Sequence, residues 1–139
     1  MKISDVLVQL DHIKPNQYDD AALVRWLSTL DGYLYHEVLC WHEKPEEEPG
    51  GPLTEEPVLG AWDVSVLPYD ADTDKDKQLL VPAPYDDIYV KYLCAQIDFH
   101  NAEWTRYNNS MILYNTALSA YADWLNRNNR PKQEHYVRI

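Results

Sequence analysis

Apolar and aromatic residues recur at alternating steps of three and four along the last third of the chain: Val90, Leu93, Ile97, His100, Trp104, Tyr107, Met111, Tyr114, Leu118, Tyr121 and Leu125. His100 is the one polar member. Such spacing lines up all eleven positions along one stripe of an α-helix. A phase held this long implies one straight helix or two stacked ones, and one continuous helix from Asp86 to Asn128 is preferred to a helix-turn-helix because a loop would usually reset the register. If the helix breaks, the weakest point by this reading is Asn108-Asn109-Ser110, whose side chains compete for backbone hydrogen bonds. At about 1.5 Å per residue the element would reach roughly 65 Å, more than a domain of this size needs to close its own core. Part of the stripe is therefore expected to meet another chain.

Upstream the pattern predicts two further helices. Ile3, Val6, Leu7, Leu10 and Ile13 share one face of a short helix that starts at Ser4-Asp5 and stops at Lys14-Pro15. Asn16 or Asp19 can cap a second helix with the face Leu23, Trp26, Leu27, Leu30, Leu34, Val38 and Trp41, ending near Glu43. Pro, Gly and Glu then dominate to Pro57, which reads as a surface loop. The period moves toward two at Trp62, Val64 and Val66 before an acidic turn at Asp70–Asp76 and an apolar Leu79-Leu80-Val81. The expected fold is mainly α: one domain over 1–139, with a helical pair at 1–44, a loop and extended arm or β-hairpin at 45–84, a long helix at 85–129 and a polar tail at 130–139.

Composition sharpens this picture in one respect, the choice of aromatics. Eleven Tyr and five Trp stand against a single Phe. Tyr and Trp carry a polar atom that needs a partner, which suits half-buried surfaces and interfaces or, equally, the edge of a thin helical core. Trp104, Tyr107, Asn108, Asn109, Tyr114 and Tyr121 on the long helix, with Trp62 and Tyr69 on the central arm, are accordingly the candidate subunit or partner interface. The formal net charge of −11 argues against sequence-specific nucleic-acid binding, which needs a basic face. No segment approaches the roughly 18 continuous apolar residues of a membrane span, and the start of the chain lacks a signal-type run. Cys40 and Cys94 lie in apolar helical contexts without a CxxC pair, as expected of reduced, buried thiols.

Four constellations bear on chemistry. Asp70, Asp72, Asp74 and Asp76 alternate as in a calcium loop, but Lys75 stands where an EF-hand needs Gly and Val81 where it needs Glu. His36 and His42, flanking Cys40, are six residues apart and so roughly 120° away from each other around a helix, which does not suit a shared metal. Asp98, His100 and Glu103 have acid–base spacing, but any charged helix offers such pairs, and His100 sits in an interior heptad slot. No nucleophile elbow, P-loop, dinucleotide fingerprint or Cys-His signature is present. The expectation is a protein that is not an enzyme and uses no cofactor or metal.

Four stretches carry a resemblance: Lys14-Pro-Asn-Gln-Tyr18; Arg25-Trp-Leu-Ser28 running to Leu30-Asp-Gly32; Leu79-Leu-Val-Pro-Ala-Pro-Tyr-Asp86; and Ala95-Gln-Ile-Asp98 continuing through Arg106-Tyr-Asn-Asn-Ser110 to Tyr121-Ala-Asp-Trp-Leu-Asn-Arg127. With them the chain resembles small proteins encoded among the head and tail genes of tailed bacteriophages and prophages, and head-to-tail connector (head-completion adaptor) proteins in particular. The resemblance implies a homo-oligomer, a ring around the path of the DNA, in contact with portal, capsid or tail proteins. It also implies residence in the host cytoplasm during assembly and then in the virion. Connectors usually show several separate helices, from which an uninterrupted last helix departs. The alternative from another class is a dimeric helical binding module or regulator outside the virion.

Overall fold

The computed structural model describes residues 1–37, 39 and 67–128. Four helices account for most of them: α1 (Ile3–Ile13), α2 (Asp20–Glu37), α3 (Ile88–His100) and α4 (Trp104–Asn128). The protein is mainly α, as its periodicity predicts.

α1 buries Ile3, Val6, Leu7 and Leu10, a stripe at helical spacing. Ile13, expected on the same face, is 65% exposed in the last turn before Pro15 ends the helix. The first turn is capped from outside. The Ile3 and Ser4 amides donate to the carbonyls of Lys77 and Lys75 at 3.2 and 2.9 Å, and Leu79 N–H donates to Met1 O at 3.1 Å. Lys2 and Gln78 thus form an isolated antiparallel bridge, and among the described residues this is all that exists of the expected β arm. Trp62, Val64 and Val66 lie outside the described residues.

Asp19 caps α2, its Oδ1 accepting the Ala22 N–H at 2.9 Å, as one of the two sequence candidates required. Leu23, Leu27, Leu30 and Leu34 are buried, together with the less expected Ser28 and Asp31. The stop expected near Glu43 falls outside the described residues.

A 3₁₀ turn at Tyr85–Asp87 leads into α3, the central helix, which packs on α1, α2 and α4. Its burial is correspondingly on several sides, at Ile88, Tyr89, Val90, Leu93, Ala95, Ile97 and Asp98. The heptad stripe named only Val90, Leu93 and Ile97 of these.

The long helix is divided, seven residues before the expected weak point. Asn101 N–H donates to Ile97 O at 2.9 Å, Ala102 N–H to Phe99 O at 3.1 Å and Glu103 N–H to Asp98 O at 3.0 Å. The last two bonds make a Schellman motif, which needs a left-handed residue just past the C-cap; Ala102 supplies it at φ 57°. Glu103 at once starts α4, its carbonyl accepting the Tyr107 N–H at 2.8 Å. Asn108-Asn109-Ser110 is regular helix, and Ser110 Oγ donates to Asp98 Oδ2 at 2.7 Å. Alanine is strained where glycine is free, so Ala102→Gly should raise the unfolding free energy by about 0.5 to 1 kcal/mol in urea titrations.

α3 and α4 run antiparallel. Tyr107 meets Phe99 with ring centroids 5.5 Å apart, Tyr114 meets Tyr92 at 5.3 Å, and Tyr121 and Trp124 meet Tyr85 at 6.1 and 5.5 Å. A single phase survives the turn because the same stripe faces inward on both limbs.

Candidate functional site

Two regions concentrate unusual side chains. The first is internal. Asp31, fully buried on α2, accepts hydrogen bonds from Tyr69 Oη and Tyr89 Oη, both at 2.6 Å, and from the Leu80 amide at 3.4 Å. Tyr89 Oη in turn accepts the Val81 N–H at 2.8 Å, and Ser28 Oγ accepts the Tyr69 N–H at 2.9 Å. Burial pushes the Asp31 carboxyl up to about 6, against the lowering effect of its three donors. Burial, and then the Asp31 charge, push both phenols far above the ordinary tyrosine range, so they remain donors at any physiological pH. Every group here is used in holding 69–81 against α2 and α3. Tyr69, expected outward on an arm, is a core residue for this reason.

The second region is external. The three-residue turn sets Phe99 at the end of α3 beside Trp104 at the start of α4, ring centroids 5.7 Å apart, with Tyr107 6.4 Å from Trp104. Phe99 is 47% and Trp104 56% exposed, and Tyr107 is half-buried. Trp104, Asn108 and Ile112 follow at four-residue steps along α4, so Ile112, 63% exposed, continues the surface, with Leu113 beside it. α4 packs only on α3 and the 3₁₀ turn among the elements described, which leaves its other side to solvent. The middle of that side is also uncharged. No acidic or basic residue occurs from Tyr107 to Ala122, in a chain with 25% charged residues.

The candidate interface therefore divides. Trp104, Asn108 and Asn109 are exposed, with Tyr107 half-buried among the aromatics. Tyr114 and Tyr121 face inward at 6% and 1% exposure, and burial pushes the Tyr114 phenol up to about 12. Both are aromatics of the heptad stripe, and that stripe is the inner one. Trp62 lies outside the described residues. Phe99, Ile112 and Leu113 are exposed but stand outside the sequence expectation; for Ile112 and Leu113 the charge-free run around them is the signal, and for Phe99 the sequence offers none.

Comparison with protein-family models, curated proteins and solved structures gives no match.

The other constellations do not converge. Asp98 is buried, paired with the Lys14 ammonium and bonded to Ser110. His100, expected in an interior slot, is exposed at the end of α3; its Nδ1 donates to Gln96 O at 2.9 Å and its ring lies 4.8 Å from that of Trp26. Glu103 is held in the turn. Asp70 Oδ1 accepts the Asp72 and Thr73 amides at 2.7 and 3.3 Å and Asp74 Oδ2 accepts the Asp70 amide at 2.8 Å, so these two carboxylates hold their own loop. No group of three His, Cys, Asp or Glu among the described residues is placed to share a metal ion. His42 and Cys40 fall outside those residues. Cys94 is half-buried, and burial pushes its thiol up while the Lys14 charge pulls it down, which leaves it unactivated. No helix among the described residues is long and apolar enough to cross a membrane.

Proposed function

We propose that this chain is a non-enzymatic virion-assembly protein, a head-to-tail connector of a tailed phage that works as a homo-oligomer in contact with portal, capsid or tail proteins. The observation that carries the reading is the charge-free outer side of α4 with Ile112 and Leu113 exposed along it, next to the exposed Phe99–Trp104 pair at the turn. An acidic chain repels its own copies over most of its surface, and a neutral, aromatic-edged helix face is where protein contacts are least opposed. The resemblance in four stretches supplies the phage context. The division of the last helix at Asn101–Glu103 also supports it, since connectors usually carry several separate helices. A strongly acidic exterior also suits a passage through which DNA moves without sticking.

The test is electron microscopy of particles made without the gene. Unjoined heads and tails are expected; normal infectious particles would remove the virion role. Within that system Trp104→Ala should lower the yield of joined particles, while the isolated protein keeps its unfolding free energy within about 0.5 kcal/mol, because the indole is largely outside the core. A second reading, a discrete dimeric binding module, is favoured by the placement of Arg106 and Asp123 at opposite ends of the neutral face.

A further inference from the structure

The inner stripe of α4 runs through Tyr107, Met111, Tyr114, Leu118, Tyr121 and Leu125. Two residues on, roughly 200° around the helix, a second stripe follows the same rhythm: Arg106, Asn109, Leu113, Thr116, Ala120 and Asp123. All six are exposed. Steps of three, four, three, four and three are those of a helix–helix seam, here with nothing packed on it among the described elements.

The ends of this second stripe carry opposite charges, with Arg106 also paired to Glu103 of its own chain at 3.3 Å, and its middle carries none. Arg106 and Asp123 are seventeen residues apart, about 25 Å along the axis. An antiparallel pair of α4 helices, related by a two-fold axis between Tyr114 and Asn115, sets Arg106 opposite Asp123 of the second copy. It also sets Asn109 opposite Ala120 and Leu113 opposite Thr116, and every contact is made twice. Large side chains then face small ones, which lets the two surfaces interdigitate. A parallel pair would instead oppose arginine to arginine and aspartate to aspartate. A formal charge of −11 per chain opposes self-contact in general, and that opposition is least along the charge-free stretch of α4.

We infer that the outer face of α4 is a self-association surface, and that its occupant is the same face of a second copy in antiparallel register. The exposed Ile112 and Leu113 lie near the centre of that contact, where apolar burial counts most, and the two Arg–Asp pairs at its rim set direction and register. The inference does not depend on the virion reading. A two-fold pair can be the form of the chain away from the particle, or its final state.

Sedimentation of the full chain at concentrations up to about 0.5 mM tests this, a range in which even a weak contact is populated. Wild type should sediment at twice the monomer mass. Arg106→Asp alone and Asp123→Arg alone should each weaken the dimer by about tenfold or more, since each sets like charges together twice. The double replacement restores opposite charges and should return the dimer to near wild-type strength. Circular dichroism of each variant monitors the fold, which exposed positions should leave unchanged. A monomer throughout the range, a larger ring, a dimer insensitive to the single swaps, or single swaps that the double variant does not rescue would each overturn the antiparallel pair. Infectivity of the gene-deleted phage is a separate readout, so failure of one reading leaves the other standing.

Discussion

Asp31→Ala should lower the unfolding free energy by about 3 to 5 kcal/mol, a loss typical of breaking a buried charged hydrogen-bond network. The substitution removes the shared acceptor of Tyr69 and Tyr89, leaving two buried hydroxyls and the Leu80 amide without it. It also frees 69–81 from α2, and with it the carbonyls of Lys75 and Lys77 that cap α1. Asp31→Asn, which keeps the shape and some of the bonds, gives a cleaner measure of the charge. The folded chain holds the Asp31 proton more tightly than the unfolded chain, with a pKa of about 6 against an ordinary 3.8. The stability that comes with protonation is therefore fully present below about pH 4 and is lost as pH rises through about 6. Roughly two pK units correspond to about 3 kcal/mol. Relative to Asp31→Asn, wild type should lose about that much between pH 4 and pH 7. A stability difference between the two proteins that is flat across this range in urea titrations would show that burial does not govern this carboxyl.

The second large effect is asymmetric. Lys14 and Asp98 form an ion pair in which the lysine side chain is 22% exposed and the carboxylate 1%. Lys14→Met strands a charge in the core and should lower stability by about 3 to 4 kcal/mol. Asp98→Asn should cost only about 1 to 2 kcal/mol, since the ammonium can turn to water and Ser110 keeps an oxygen to which it can donate. In the double variant the penalties should not add, and a coupling energy near zero in the cycle would mean that the pair contributes nothing.

Both networks bear on what the sequence disclosed. The four stretches behind the phage resemblance carry most of these polar contacts. Lys14, Asn16 and Tyr18 dock the α1–α2 link, with Tyr18 Oη donating to Asn101 Oδ1 at 2.7 Å. Ser28 and Asp31 hold Tyr69 and Tyr89, Leu80 and Val81 offer their amides, and Ser110 reaches Asp98. Periodicity located the helices because apolar spacing is a local signal. Asp31 could not be found that way, because its partners lie 38 and 58 residues away and an acid on a helix reads as solvent-facing until they are placed. The turn at Asn101–Glu103 escaped for the opposite reason. A three-residue joint between helices that face each other preserves the heptad phase, so the pattern of one long helix and of a tight hairpin are the same. His100, the lone polar residue on the stripe, marked the spot. Tyr114 and Tyr121 share the inner stripe and so belong to the core; the outer stripe is recognised by what its middle lacks, charge.

The turn at Ala102 has a further consequence, for changes in length. Its three residues are all engaged in closing α3 or starting α4, so an inserted residue has no slack to occupy and is absorbed into the helix that follows. One residue turns α4 by about 100°, which would carry Tyr114 and Tyr121 off the core and swing the outer stripe round toward α3. Substitutions at this joint alter stability by fractions; insertions and deletions would re-index both faces of the helix at once.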